Sequence, residues 1–221
     1  MARSTQTCAR GLTTVTKAWP VTLREDDAKG SVVLRPLRRR DSEVWLRLRT
    51  ANHSWLEPWE ATSPRGLGGS TTFGEYVRLL SQQARAGTTL PFAVELDGAL
   101  VGQLTVSSIT YGSLCSAAIG YWVSRDVAGR GVIPTAVALA TDYCLQVLGL
   151  HRIEINIRPE NHRSLRVVEK LGFRDEGTRA RYLHIQGKWR DHRTFALTSE
   201  DVPGGLLARW QKAREARWPT E

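Results

Sequence analysis

The chain has 221 residues, of which 41% are hydrophobic and 24% are charged, and its formal net charge is +9. This composition is typical of a soluble globular protein with one large domain or two small ones. No run approaches the roughly 18 apolar residues that cross a bilayer, which excludes an integral membrane protein. Because the arginines are spread along the chain, we expect no specific nucleic-acid binding and no membrane partner, and only nonspecific contact with an RNA-rich particle stays open.

The middle of the chain differs from its two ends. Residues 19–203 are predicted to form one α/β domain. Residues 1–18 carry basic and hydroxyl side chains and no acid, and they are predicted to be a disordered basic tail. Residues 204–221 are predicted to be a short basic extension. The three cysteines show no pairing pattern, which is typical of a reducing compartment, so we expect a cytoplasmic protein without a metal site.

The predicted elements alternate between strands and helices, without an internal repeat. In chain order they are strands at 19–23 and 31–36, helices at 41–55 and 72–87, strands at 92–96, 101–109 and 115–124, a helix at 134–148, a strand at 152–157, a helix at 161–171, and strands at 179–185 and 189–197. Asp41 is the expected N-cap of the first helix, and Thr72 and Glu75 form a capping box before the second. The helix at 134–148 is apolar nearly all round and should be buried.

The segment from Ile119 to Thr135 says most about function. It is predicted as a buried strand, a Gly-Arg-Gly turn and the first turn of a helix. Gly129 and Gly131 have no Cβ, so the backbone can approach a ligand closely there, and Pro134 suits a first helical turn. Free amides at a helix start, together with the helix dipole, favour a bound phosphate or pyrophosphate.

Two common nucleotide-binding loops do not fit this segment. A P-loop ends in Gly-Lys-Ser or Gly-Lys-Thr, which is absent here. A Rossmann loop has a third glycine in a βαβ unit, and Pro134 stands at that position. What remains is a strand, a Gly-x-Gly turn and a buried helix, followed by a strand, the pair Asn161 and Ser164, and a helix that ends in Leu-Gly-Phe.

This combination resembles the GNAT superfamily of N-acetyltransferases and, within it, the RimJ/RimL-type ribosomal-protein N-terminal acetyltransferases. The resemblance covers roughly residues 19–203. The segments that carry it are Val32-Val-Leu-Arg-Pro-Leu37, Trp55-Leu-Glu-Pro-Trp59, Ile119-Gly-Tyr-Trp-Val123, Leu150-His-Arg-Ile-Glu-Ile155, Pro159-Glu-Asn-His-Arg-Ser164, Glu169-Lys-Leu-Gly-Phe173 and Trp189-Arg-Asp-His192. It implies an α/β fold with a mixed sheet of about seven strands, flanked by helices and splayed where acetyl-CoA inserts. It also implies an acyltransferase that acetylates an amine.

The resemblance further implies where acetyl-CoA binds. Its pyrophosphate is expected on the glycine loop, its pantetheine arm beside the preceding strand, and one hydrogen bond to that arm from Asn161. The implied cofactor-binding residues are Tyr121, Trp122, Val123, Gly129, Arg130, Gly131, Val132, Ile133, Thr135 and Asn161. Two positions depart from the family's loop, since Ala128 stands where Gln or Arg is usual and Ile133 stands where Gly or Ala is usual.

Amine acetylation requires a neutral amine, a stabilised oxyanion and a proton for the leaving thiolate. Backbone amides near Trp122 and Val123 are candidates for the oxyanion. Ser164 matches a family serine and is the candidate acid, although its hydroxyl could instead bond within the first helical turn. Asn156 stands where relatives often have a basic glutamate, and Glu154 lies on the same face of that strand. An α-amine has a pKa near ~8, so a reaction without a side-chain base is a third possibility.

The loop at 55–64 is the predicted acceptor wall. Trp55 and Trp59 would pack on a peptide and Glu57 or Glu60 would meet its ammonium group, unless both tryptophans only fill the core. The first hypothesis is acetylation of the N-terminal α-amine of a ribosomal or other protein. A small amine such as a polyamine or an aminoglycoside is the second, which the basic charge disfavours. A noncatalytic acetyl-CoA-binding module is the third. Family members occur as monomers and as homodimers.

Overall fold

A computed structural model describes residues 19–27, 30–65 and 72–217, so the predicted tail at 1–18 lies outside the described residues. The strands are β1 Leu23–Asp27, β2 Gly30–Pro36, β3 Leu90–Leu96, β4 Ala99–Thr110, β5 Ser116–Val123, β6 Arg152–Ile157, β7 Arg174–Ile185 and β8 Lys188–Thr198. The α-helices are α1 Ser42–Ala51, α2 His53–Leu56, α3 Phe73–Arg85, α4 Val132–Asp142, α5 His162–Leu171 and α6 Leu206–Arg217. Short 3-10 turns lie at Arg39–Asp41, Glu57–Trp59, Arg125–Val127 and Ser199–Asp201, and a π-helical turn, Tyr143–Val147, continues α4.

The strands form a single eight-stranded sheet in the order β1-β2-β3-β4-β5-β6-β8-β7. Neighbours are antiparallel except β5 and β6, which run parallel. The tight turn between β3 and β4 lies at Asp97 and Gly98, both with positive φ, as a two-residue hairpin requires. The mixed α/β sheet confirms the predicted fold class, and its eight strands equal the number predicted from the sequence pattern and exceed by one the number that the family resemblance implies.

The sheet opens between its two parallel strands. Register pairs join β5 to β6 only from Ser116 with Arg152 to Ala118 with Glu154. The remaining part of β5, up to Val123, has β4 as its paired neighbour and no second strand in the described part of the chain. The splay that the family resemblance implies is therefore present, at the end of β5 that leads into the glycine loop.

Helices cover both faces of the sheet. On one face α4 packs into the main core with ten of its residues buried, as its nearly uniform apolar sequence predicts. On the other face α1 and α3 enclose a smaller cluster, Leu37, Phe73, Val77, Leu80, Ala93 and Leu100. No helix in the described ranges is long and apolar enough to span a membrane.

Several predicted boundaries were wrong. The first strand is Leu23–Asp27 instead of 19–23, so residues 24–27 form a strand where a connection was predicted. Strand β7 begins at Arg174 instead of residue 179. Both strands lie at sheet edges, where exposed charged residues are tolerated and apolar alternation is lost. Asp41 does not cap α1 through its side chain, because its carboxylate accepts hydrogen bonds from Arg35 and from Arg38 N.

The two cysteines in the described part of the chain are both buried. Cys144 is completely buried, as predicted, and burial raises the pKa of its thiol to about 12. Cys115 is 3% exposed, and its sulfur lies 3.4 Å from the carbonyl oxygen of Gly149.

Candidate active site

A cleft of about 860 Å³ follows the gap between β5 and β6. Twelve of the residues predicted from the sequence lie along its walls: Trp55, Trp59, Glu60, Tyr121, Trp122, Val123, Gly129, Gly131, Val132, Ile133, Asn161 and Ser164. Five others do not line it: Glu57, Arg130, Thr135, Glu154 and Asn156. The predicted cofactor strand, glycine loop and acceptor loop therefore share one cavity.

The last residues of β5 present free backbone groups to the gap. Ser124 N donates to Val101 O on β4 at 2.8 Å. This bond shows that the backbone groups of Ser124 face β4 and therefore which residues of β5 are hydrogen-bonded to that strand. Because such groups alternate along an antiparallel strand, the N–H and C=O of Tyr121 and Val123 point away from β4 and into the gap. The N–H of Trp122 points toward β4 instead. Of the two amides considered for the oxyanion, only that of Val123 faces the cleft.

The glycine loop ends in a set of free amides. Gly129 and Gly131 both have φ of 87°, a conformation that favours glycine. The amides of Gly129, Gly131, Val132 and Ile133 find no acceptor within the described ranges, and the last three stand at the start of α4. Free amides at a helix start favour a bound anion, and the sequence predicts an anion site at this loop.

Two predicted loop residues lie away from the cleft. Thr135 is 1% exposed, its hydroxyl accepts a hydrogen bond from Trp210 Nε1 at 2.9 Å, and its amide donates to Gly131 O at 3.1 Å. Both polar groups of Thr135 are thus already used inside the protein. Arg130 is exposed to solvent.

The start of α5 brings a serine beside a partly buried tyrosine whose hydroxyl is buried. Asn161 Oδ1 accepts from Ser164 N at 3.2 Å and caps the helix, so its Nδ2 is left to donate elsewhere. The Tyr121 hydroxyl lies next to Ser164, outside hydrogen-bond geometry, and has no other partner in the part of the chain that the structure describes. Burial raises the pKa of Tyr121 to about 12, and the neighbouring Ser164 hydroxyl opposes that rise. Tyr121 therefore keeps its proton at neutral pH.

The two candidate bases on β6 are engaged elsewhere. Glu154 forms ion pairs with Arg152 at 2.8 Å and with Arg179 at 2.9 Å. Asn156 Oδ1 accepts a hydrogen bond from Thr194 at 2.8 Å. Neither side chain lines the cleft, so the geometry favours neither of them as a proton acceptor.

One end of the cleft is aromatic. Trp55 Nε1 donates to Val123 O at 3.1 Å, and the guanidinium of Arg163 lies 4.4 Å from the Trp55 ring centroid. Trp55 thus bridges the end of β5 and the first turn of α5. The ring of Trp59 is covered by Arg158 at 5.4 Å. Both tryptophans line the cavity instead of only filling the core.

One carboxylate faces this aromatic end. Glu60 is paired with Arg49, and the Arg49 guanidinium lies 5.4 Å from the ring centroids of both Trp45 and Trp122. Glu57 points to solvent and pairs with His53 at 3.5 Å. Among the described residues that line the cleft, Glu60 is the single acid, against five cations: Arg49, Arg125, Arg163, Arg166 and Lys170.

A buried asparagine that was not predicted from the sequence joins the end of α1 to the turn that follows β5. Asn52 is 6% exposed. Its Nδ2 donates to Leu48 O and Ser124 Oγ, both at 2.9 Å, and its Oδ1 accepts from Arg125 N at 2.9 Å. A polar residue interrupting helical spacing was the signal for it in the sequence.

A row of hydrogen-bonded side chains on the floor of the cleft was also not predicted from the sequence. Gln103 accepts from Trp45 Nε1 at 3.0 Å and donates to the Tyr76 hydroxyl at 2.9 Å. A glutamine within the apolar run of β4 was the available signal.

Known proteins are similar to this chain in sequence and fold. A family model of the acetyltransferase (GNAT) domain matches residues 31–174. A probable N-acetyltransferase of Bacillus subtilis, YjcK, is 32% identical over 77% of this chain and 96% of its own length. The [ribosomal protein uS5]-alanine N-acetyltransferase of Escherichia coli is 28% identical over 78% of this chain and 91% of its own.

One similar protein has been solved in complex with a form of coenzyme A, and a third relative is named for a different acceptor, spermidine. Mycobacterium smegmatis RimJ, solved in complex with CoA-disulfide, is 41% identical with a TM-score of 0.83, covering 89% of this chain and 96% of that one. The spermidine N(1)-acetyltransferase of Escherichia coli is 28% identical over 73% of this chain and 82% of its own length.

Proposed function

This chain belongs to the GNAT acetyltransferase family, and from that premise we propose that it transfers acetyl from acetyl-CoA to the N-terminal α-amine of a protein. The observation that carries the choice of acceptor is the charge of the cleft, which holds one carboxylate, Glu60, at its aromatic end. One carboxylate suits one ammonium group on an otherwise uncharged peptide backbone.

The cleft fits acetyl-CoA, which supplies the thioester carbonyl that the amine attacks. The free amides of Gly129, Gly131 and the first turn of α4 suit its pyrophosphate. The free edge of β5 at Tyr121 and Val123 suits the amide groups of its arm, as a neighbouring strand would. Cations along the cleft suit its phosphates. Ala128 and Ile133, the two positions that depart from the family's loop, both line the cleft. The amides that would bind phosphate belong to the backbone, so they do not depend on these side chains.

The residues around the end of β5 suit the acyl-transfer step. The Val123 N–H, which points into the gap, is the proposed donor to the oxyanion. Ser164 is the proposed acid for the thiolate. The Tyr121 hydroxyl beside it would return a proton to Ser164 and regain one from the amine, which loses a proton on acylation. Burial raises the pKa of Tyr121 and so disfavours a lasting tyrosinate.

No side-chain base is needed in this proposal. Glu154 and Asn156 are held in other contacts, and the amine of a protein N-terminus is partly neutral near pH 8 because its pKa is about 8. Glu60 and the ring of Trp59 would position the amine. Arg49 pairs directly with Glu60.

A polyamine acceptor is the second candidate, and the similarity to a spermidine acetyltransferase favours it. Spermidine carries several positive charges, and binding it requires several carboxylates. The described cleft lining instead has five cations and one acid, so its charge opposes this candidate.

One experiment separates these acceptors. The protein is incubated with acetyl-CoA and, separately, peptides with free Ala or Ser N-termini, the same peptides with a blocked N-terminus and an internal lysine, ribosomal proteins, and spermidine. Thiol release gives the rate and mass spectrometry gives the acetylated atom. We expect modification at free N-termini alone.

The variant Glu60→Gln should raise the acceptor KM while leaving the KM for acetyl-CoA unchanged. Transfer to lysine or spermidine in preference to an N-terminus would overturn the α-amine proposal. Binding of CoA without transfer to any acceptor would instead indicate a noncatalytic module.

A further inference from the structure

The C-terminal helix α6 lies outside the stretch matched by the family model, which ends at residue 174, yet it is built into the domain. Leu206 and Trp210 are buried on its inner side. Its contacts fall on α4, on the end of α5 and on the β1–β2 hairpin. Because α4 and α5 both begin at the cleft, α6 joins the two helices that flank the gap.

Trp210 reaches the back of the glycine loop. It is 7% exposed, and its Nε1 donates to the hydroxyl of Thr135 in the first turn of α4 at 2.9 Å. A Cβ placed on Gly131 would lie 3.7 Å from Trp210 Cζ2, so the indole ring is in van der Waals reach of that glycine. Thr135 in turn donates its amide to Gly131 O. The indole therefore supports Gly131 through two routes, one direct and one through Thr135.

Three anchors hold this helix in place. Asp142, at the end of α4, accepts hydrogen bonds from Leu206 N at 2.6 Å and Leu207 N at 3.0 Å and so caps α6. Arg209 donates to Leu171 O at the end of α5. On the far side Arg214 pairs with Asp27 of β1. The position of Trp210 is thus set by elements on both sides of the gap.

We infer that Trp210 is a positioning residue for acetyl-CoA: it holds Gly131 and the first turn of α4 in the conformation that presents their amides to the pyrophosphate. This inference rests on the proposed use of acetyl-CoA and does not depend on which amine is the acceptor. A loop that is already ordered before binding avoids the entropy cost of ordering on binding, and this raises affinity. The chemical step uses other groups, the Val123 amide and the Ser164 hydroxyl, and is left unchanged.

The test uses two variants that each remove one partner of the same hydrogen bond. Trp210→Phe keeps an aromatic ring and loses the N–H, and Thr135→Val keeps the volume and loses the hydroxyl. For each full-length variant, calorimetry with CoA gives Kd, steady-state kinetics give KM and kcat, and thermal unfolding gives Tm.

We expect Kd and KM for acetyl-CoA to rise about three- to tenfold in both variants, with kcat and the acceptor KM within about twofold. The double variant should match the weaker-binding single one, because both disrupt one contact. The matched control is Trp189→Phe, since Trp189 is 54% exposed in the β7–β8 hairpin. It should leave all four quantities unchanged.

A lower Tm with unchanged Kd and KM in Thr135→Val and Trp210→Phe would overturn the inference and leave Trp210 a purely structural residue. If Trp210→Phe does not fold, Thr135→Val alone decides between the two results. A wild-type protein that binds CoA and acetylates no N-terminus, with Kd still raised in the variants, would refute the proposed acceptor and support the role of Trp210.

Discussion

Gly102 of β4 lies in close contact with the carbonyl oxygen of Trp122 on the neighbouring strand β5. A Cβ at Gly102 would collide with that oxygen and lie 3.0 Å from Val123 Cα. The peptide that joins Trp122 to Val123 is the one whose N–H points into the gap, so the absence of a side chain at Gly102 fixes the position of the proposed oxyanion donor.

Gly102→Ala should therefore damage catalysis more than cofactor binding. The new methyl group must push the peptide of Val123 away from β4, which we expect to lower kcat at least tenfold and to cost about 1–3 kcal/mol of unfolding free energy. Steady-state kinetics and urea unfolding measure the two effects.

Gly74→Ala is the control for that change. A Cβ at Gly74 meets nothing within 4 Å, and the residue lies in the first turn of α3, so alanine should be neutral or stabilise by up to about 1 kcal/mol with kcat unchanged. A normal kcat in Gly102→Ala would contradict the assignment of the Val123 amide.

Trp55→Phe tests the bridge between the acceptor loop and β5. Phenylalanine keeps a ring near Arg163 but loses the hydrogen bond to Val123 O. We expect a loss of about 1 kcal/mol in unfolding free energy and a three- to tenfold lower kcat/KM for the acceptor. Trp189→Phe is the control, because Trp189 is 54% exposed and does not line the cleft, and it should leave Tm and kcat nearly unchanged. Equal effects of the two variants would argue against a specific role for the bridge.

The sequence predicted the glycine loop and the buried helix α4 because each depends on local chemistry: glycine conformation at a helix start, and an apolar run. The splay of the sheet was expected only from the family resemblance. The sequence did not predict which amide of the pair at Trp122 and Val123 faces the cleft. That depends on the hydrogen-bonding phase with β4, which Ser124 sets. Nor did it predict that Thr135 turns inward, because its partner Trp210 is 75 residues away in the chain.

Ser164→Ala should lower kcat about ten- to a hundredfold, the range typical of a lost general acid. Tyr121→Phe should have a smaller effect, and the double variant should resemble Ser164→Ala, because the two hydroxyls are proposed to act in sequence. Unlike most buried polar groups, the Tyr121 hydroxyl has no hydrogen-bond partner in the described ranges, so its removal should leave Tm equal or higher. Single-turnover rates and thermal unfolding measure both. If Ser164→Ala has a normal kcat while Tyr121→Phe does not, the roles of the two residues are reversed.

Asp41→Asn tests a buried ion pair and predicts the direction of a pH effect. Burial opposes ionisation of Asp41, but hydrogen bonds from Arg35 and from Arg38 N outweigh it and lower its pKa. Because the pKa of Asp41 is lower in the folded than in the unfolded protein, its ionised carboxylate stabilises the folded state at pH values above the unfolded pKa of about 3.9. This stabilisation is lost as the pH falls through the pKa of the folded protein.

The Asp41→Asn variant should be less stable than the parent by on the order of 3 kcal/mol at pH 7. The difference should shrink below about pH 4, where the parent also becomes protonated. Denaturant unfolding at the two pH values measures it. The control Glu43→Gln, whose side chain is 88% exposed, should change stability by less than about 0.5 kcal/mol, and a constant difference for Asp41→Asn between pH 7 and pH 3 would contradict the linkage.

The pH dependence of kcat/KM should be set by the pKa of the acceptor's amine and not by an ionisable group of the enzyme. Because Glu154 and Asn156 are held in other contacts and do not line the cleft, the neutral amine must come from the substrate itself. Two peptides that differ only in the pKa of their N-terminal amine should therefore show acidic limbs displaced by that same difference. Glu154→Gln should leave each limb where it is. Superimposed limbs for the two peptides, or a limb lost in Glu154→Gln, would instead reveal an enzymic base and place Glu154 in the reaction.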